Sequence, residues 1–232
     1  MKLRILSGGA AQGLVQAVSA AFQTETGLSV DGNFGAVGAM RDELLAGAPC
    51  DLLILTQALI ETLERDGHVV PVSSAPIGTV RTGVAVRSGS PVPVVSDSMS
   101  LSRALSAADG IFFPDPKRAT AGIHFAKVLQ GLGFDPSNDP RMSTHANGAT
   151  AMAELARSSL ASPIGCTQVT EIMNTPGVTL AGLLPKEFEL ATVYTAAIAT
   201  RAQHPGEAKV LLELLRSTAA QPHRHRLGFT VD

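Results

Sequence analysis

The feature that most constrains this chain lies in its first forty residues, which twice leave a strand through very small side chains and enter a helix. Leu3, Ile5 and Leu6 give a short apolar strand, and Ser7-Gly8-Gly9-Ala10-Ala11-Gln12 a turn of small residues. Leu14, Val15, Val18 and Phe22 then recur at helical spacing. A second strand, Leu28 to Phe34, empties into Gly35-Ala36-Val37-Gly38-Ala39 and a helix that stops at Gly47, with Pro49 beyond. Such a turn lets a ligand reach backbone N–H groups at a helix start, where the first donors are unpaired and the dipole is positive. Small residues also serve tight strand-to-helix packing. Two consecutive turns of this kind favour a pocket for an anion or carboxylate.

The continuous apolar run Leu52-Leu53-Ile54-Leu55 predicts a strand covered on both faces, and Leu59, Ile60 and Leu63 carry the next helix to Gly67. Three strand–helix units in succession predict an α/β, doubly wound sheet, whose ligands sit at the carboxyl ends of its strands. That places Ser7 to Gln12, Asn33 to Gly38 and Thr56-Gln57 on one rim. Val80, Thr82, Val84 and Val86 then alternate as in a longer strand, and a second α/β series follows. It runs through a helix at 98–107, a strand at 111–113, the loop 115–122 into a helix, the loop 145–148 into another, and a strand at 164–167 that opens at Gln168. A long strand at 190–199 reads as a return crossing, after which Pro205 begins a helix and a short helix near His223 precedes Phe229. The expected architecture is a two-lobed clamshell of two doubly wound α/β domains joined by two crossings. One domain is 1–80 plus 197–232 and the other 83–193, with hinges near 80–84 and 193–197 and the ligand in the cleft.

Composition removes several functions. The 232 residues carry a formal charge of −2, so there is no basic excess for nucleic acid, and no apolar run approaches the ~20 residues of a membrane span. Trp is absent and Tyr194 is the only tyrosine, which argues against a site built on aromatic stacking. Cys50 and Cys166 sit in or beside apolar strands and read as small buried hydrophobes. No nucleophile elbow, phosphate-binding loop or dinucleotide fingerprint is present, and neither a metal nor a cofactor is expected. Met1-Lys2 runs directly into the first strand, so the expected location is cytoplasmic if Met1 is the native start and periplasmic if a signal peptide has been removed.

Several pieces occur in a fixed order: Ala46-Gly47-Ala48-Pro49-Cys50-Asp51-Leu52, Asp115-Pro116, Ala121-Gly122-Ile123, Leu129-Gln130-Gly131-Leu132-Gly133 and Gly228-Phe229-Thr230. With the first strand and its loop, and with Phe34 and its small successors, they make the chain resemble the type II periplasmic solute-binding proteins, specifically the molybdate-binding components of ABC transporters. The resemblance covers essentially the whole chain. It implies the clamshell fold, a small anionic ligand, a backbone contact from Ala121 and an ABC permease as partner. It also implies serine hydroxyls in the first two loops and a tyrosine in the second lobe. Those positions are here Ala10, Ala36-Val37 and Gln168. Losing two hydroxyl donors costs about 1–3 kcal/mol each in a dry site. A small di- or tricarboxylate therefore suits the pocket better than molybdate.

The expected ligand-binding residues are Ser7, Gly9, Ala10, Asn33, Ala36, Val37, Arg118, Thr120, Ala121, Asn147 and Gln168, with Gln12 as a further donor. Ser7 and Thr120 could equally be helix caps, and Arg118 a solvated lip residue. The same fold family includes an enzyme branch, the aconitate isomerases, which gives a second reading: a proton shift along an unsaturated carboxylate. That reading needs a base, for which His145 and Glu171 are the candidates, although Glu171 could face solvent on its helix. Receptor and isomerase both stay open, with binding ranked first. The tract His223-Arg224-His225-Arg226 reads as a solvated helical face, since its histidines are spaced i, i+2.

Overall fold

The computed structural model describes residues 1–230. In chain order its elements are β1 (Lys2–Gly8), α1 (Gln12–Thr26), β2 (Ser29–Gly35), α2 (Val37–Leu45), β3 (Leu52–Thr56), α3 (Gln57–Arg65), β4 (Ala75–Arg87), α4 (Ser98–Ala107), β5 (Gly110–Pro114) and α5 (Thr120–Gly131). There follow β6 (Met142–His145), α6 (Gly148–Arg157), β7 (Pro163–Gln168), α7 (Val169–Met173), β8 (Val178–Leu183), β9 (Ala191–Ile198), α8 (Pro205–Arg216), α9 (Gln221–Arg226) and β10 (Phe229–Thr230). The chain divides into two compact units, one of Met1–Val80 with the chain from Thr192 onward, the other Arg81–Ala191.

In the first unit β1 lies parallel to both β2 and β3, and β3 pairs antiparallel with β9. Leu52 to Leu55 are fully buried, as a strand covered on both faces requires. Helix α1 buries Leu14, Val15, Val18 and Phe22, the apolar stripe of the sequence, and closes on Gly27, whose left-handed φ of 75° lets its N–H reach the Gln23 carbonyl. Asp51 locks the unit at the amino end of β3. Its carboxylate accepts backbone N–H groups from Arg4 at 2.8 Å, Gln203 at 2.7 Å and His204 at 3.0 Å.

In the second unit β5 lies parallel to β6 and β7, and β4 runs antiparallel to β7 on one side and β8 on the other. One apolar cluster, including Val84, Cys166, Phe113 and Phe125, fills one face of this sheet, and a second, including Ala85, Met152, Leu155 and Ile172, fills the other. Helix α4 begins at a reciprocal cap, with Ser100 N–H on Asp97 Oδ1 and Asp97 N–H on Ser100 Oγ. Strands β6 and β8 are additions to the sequence reading. The first is only four residues long, and the second carries no fully buried side chain, so neither leaves a periodic apolar signal. No helix of the described residues is long and apolar enough to cross a membrane.

Candidate functional site

In the first unit the carboxyl ends of β1 and β2 meet the starts of α1 and α2. Gly8 is required here, because a Cβ would stand 2.7 Å from Val37 Cγ1 and 2.9 Å from Tyr194 Cε1. Gly9 to Ala11 form one short 3-10 turn leading into α1. Helix α2 begins at Val37 behind an extended Ala36, whose side chain makes no cap, so the N–H groups of its first turn are donors at a helix start. Ala10, Ala36 and Val37 are buried, and they surround these donors with methyl groups rather than hydroxyls.

Two of the expected side chains are engaged elsewhere in this unit. Ser7 is fully buried, and its hydroxyl donates to the carbonyl of Gly8 at 2.9 Å. It neither caps α1 nor offers its proton outward. Asn33 is exposed on β2, and its amide donates to Glu43 Oε2 at 2.7 Å. The strand end of β3 follows the same pattern, with Thr56 before α3 making no side-chain cap and Gln57 donating to Glu61 at 2.8 Å.

In the second unit the loop after β5 is shaped by Asp115, whose carboxylate accepts the N–H groups of Lys117 and Arg118. Arg118 is exposed and makes no ion pair among the described residues. Helix α5 starts at Thr120, with Ala119 in the cap position and no side-chain cap, so Thr120 is a first-turn residue rather than the cap. Its start is pressed against the end of β5: a Cβ on Gly122 would stand 2.3 Å from the Pro114 carbonyl oxygen. The first N–H groups of α5, at Thr120 and Ala121, thus form an uncapped helix start beside a strand end.

Helix α6 is different, because the chain fills its anion position itself. Asn147 caps it by accepting Thr150 N–H at 2.8 Å. The Glu171 carboxylate takes the N–H groups of Gly148, Ala149 and Gln168, and Thr167 Oγ1 donates to its Oε2 at 2.5 Å. A Cβ on Gly148 would lie 1.8 Å from Glu171 Oε2, so only glycine admits the carboxylate. Glu171 therefore does not face solvent on its helix, as its sequence position allowed: the residue is 7% exposed. Burial pushes its carboxyl up to about 7, against the opposing pull of the Thr167 hydroxyl and the three N–H donors. The sequence reading missed Thr167 and Gly148, although the spacing of Thr167 and Glu171, i and i+4, was there to read.

Gln168 is buried at the end of β7, directly across from Thr82 of β4. His145 ends β6, where its ring stacks on Phe112 at 5.9 Å and Ser143 Oγ lies 2.9 Å from its Nε2. Burial lowers the His145 pKa, and the charge of Glu154 opposes that shift. Among the described residues no group of three or more His, Cys, Asp or Glu side chains could hold a metal. Cys50 and Cys166 are buried free thiols, both pushed up by burial, Cys50 to about 12.

With this geometry in view, the family described as bacterial extracellular solute-binding protein matches residues 3–230. The chain belongs to this family. It is 26% identical over 232 residues to the aconitate isomerase of Pseudomonas sp, covering 94% of this chain and 83% of that protein. It is 21% identical to the molybdate-binding protein ModA of Escherichia coli (strain K12), covering 99% of this chain and 89% of that one. The periplasmic molybdate-binding protein of Azotobacter vinelandii superposes with a TM-score of 0.82 at 18% identity, over 99% of both chains. The fold is accordingly the type II solute-binding fold expected from the sequence, of the molybdate-binding type.

Proposed function

We propose that this solute-binding protein takes a small carboxylate rather than a tetrahedral oxyanion. The observation that carries the reading is the inward hydroxyl of Ser7, which donates to Gly8 and leaves the first turn with backbone donors beside the methyl groups of Ala10, Ala36 and Val37. A carboxylate needs only two or three N–H donors at a helix start, and its carbon skeleton gains by contact with the Ala10, Ala36 and Val37 side chains. A tetrahedral dianion needs donors on every side and loses about 1–3 kcal/mol for each one missing in a dry site. The uncapped start of α5 at Thr120-Ala121 supplies the same chemistry in the second unit. The family and its molybdate-binding relatives support an extracytoplasmic receptor that passes its solute to an ABC permease. A thermal-shift panel tests the ligand class, since a ligand selective for the folded state raises apparent stability. A di- or tricarboxylate should raise the melting temperature and molybdate and tungstate should not. A shift with the oxyanions alone contradicts the proposal.

A second reading, an isomerase of small unsaturated carboxylates, is favoured by Glu171 and by the aconitate isomerase relative. A buried carboxyl that titrates near neutrality is suited to take a proton from a carbon acid and return it. Proton NMR of unsaturated di- and tricarboxylates in heavy water checks this reading. Under it, the protein exchanges deuterium into one of them and Glu171→Gln slows exchange by about 100-fold or more while the ligand still binds. No exchange across the panel leaves the receptor.

A further inference from the structure

The basic tract near the C-terminal end is not the solvated face that its spacing suggests. Helix α9 turns His225 and Arg226 outward but buries Arg224, which is 5% exposed. The Arg224 guanidinium donates to the carbonyls of Leu215 at 2.5 Å and Ser217 at 3.2 Å, which close the end of α8, while its Nε is buried with no hydrogen-bond partner among the described residues. Arg216, at the end of α8, donates its Nε to the Pro76 carbonyl at 3.1 Å and is close enough to depress the Arg224 pKa, after the larger effect of burial. Neither arginine makes an ion pair with a carboxylate among the described residues.

Both arginines line one cavity of about 440 Å³ in the first unit, together with Gln57, Thr79 and Thr230. Two like charges line one cavity, and an anion there relieves their repulsion. We propose that this cavity binds a doubly charged tetrahedral anion, inorganic phosphate or a phosphate group on a small molecule. Its two charges match two guanidiniums, and its oxygens can also accept from the hydroxyl of Thr79. The cavity lining includes neither Val37 nor Thr120, and the proposal does not depend on the ligand assigned to them.

The test is a titration of the full ¹⁵N-labelled chain with inorganic phosphate, following the arginine Nε–Hε resonances and measuring affinity by calorimetry. Arg224 Nε–Hε should move on saturation, and Arg216→Gln should weaken binding about tenfold or more, the loss of one charge-assisted hydrogen bond. Chloride at matched ionic strength should leave the resonance in place, which separates a site from screening. Arg224→Lys should weaken binding too, but it also loosens the end of α8, so Arg216→Gln is the deciding variant. Phosphate that binds without moving Arg224 Nε–Hε, phosphate that does not bind at millimolar concentration, or an Arg216→Gln chain that binds as tightly as the parent each overturns the proposal.

Discussion

Asp51→Ala is expected to lower the stability of the chain by about 3–5 kcal/mol. The carboxylate is 3% exposed and accepts three backbone N–H groups, one from β1 and two from the residues entering α8. Removing it leaves three part-buried donors without their acceptor, each costing up to about 1–3 kcal/mol before local relaxation and water recover part. It also removes a negative charge from the start of α8, where the helix dipole favours one. Asp51→Asn keeps one acceptor oxygen, which can serve Gln203 and His204 together, so the expected loss is smaller, about 1–2 kcal/mol. Urea unfolding of the three proteins checks the order. A loss below about 1 kcal/mol for Asp51→Ala means that the clamp at the base of β3 is not what joins these segments.

The second large effect is a pH dependence that Glu171 should confer. Its carboxyl rises from 4.5 to about 7 on folding, so the folded chain holds the proton more tightly than the unfolded chain. The stabilising contribution is therefore fully present below the unfolded pKa and is lost as pH rises through the folded one. Over that interval the group should account for about 3 kcal/mol. Glu171→Gln keeps the shape and an acceptor oxygen but cannot titrate. The difference in unfolding free energy between the two proteins should therefore change by about 3 kcal/mol between pH ~4.5 and ~8, the parent losing stability relative to the variant as pH rises. Parallel stability curves show instead that the donors around Glu171 hold it ionised throughout.

Much of the fold was legible because its signals are local. The stripe Leu14, Val15, Val18, Phe22 is the buried set of α1, and the run Leu52 to Leu55 is the buried strand β3. Turn residues marked the ends, as at Gly47 and Pro205. What escaped depends on partners far away in sequence. Nothing near Glu171 announces that Gly148 leaves room for its carboxylate, a fact set by the approach of α6 to α7. Nothing near Asn33 shows that Glu43 will take its amide, and nothing near Ser7 tells which way its hydroxyl turns. Arg224 is the sharpest case. An i, i+2 pattern of basic residues reads as solvent-facing, but α9 is a single short helix seated on the end of α8, and the carbonyls of Leu215 and Ser217 draw one arginine inward. Backbone positions of the candidate site, Ala36-Val37 and Thr120-Ala121, were accessible from sequence because small residues and helix starts are written locally. Side-chain orientations were not.

Backbone donors at helix starts, set among methyl groups, should select a carboxylate over a tetrahedral oxyanion. Isothermal calorimetry with molybdate and with a tricarboxylate, on the same preparation and at the same ionic strength, separates the two ligand classes. Heat and saturation are expected with the tricarboxylate, and molybdate should bind at least about tenfold more weakly, as one absent hydroxyl donor implies. Sub-micromolar molybdate binding with no response to the carboxylate would contradict the claim, showing that backbone N–H groups alone suffice to enclose the oxyanion.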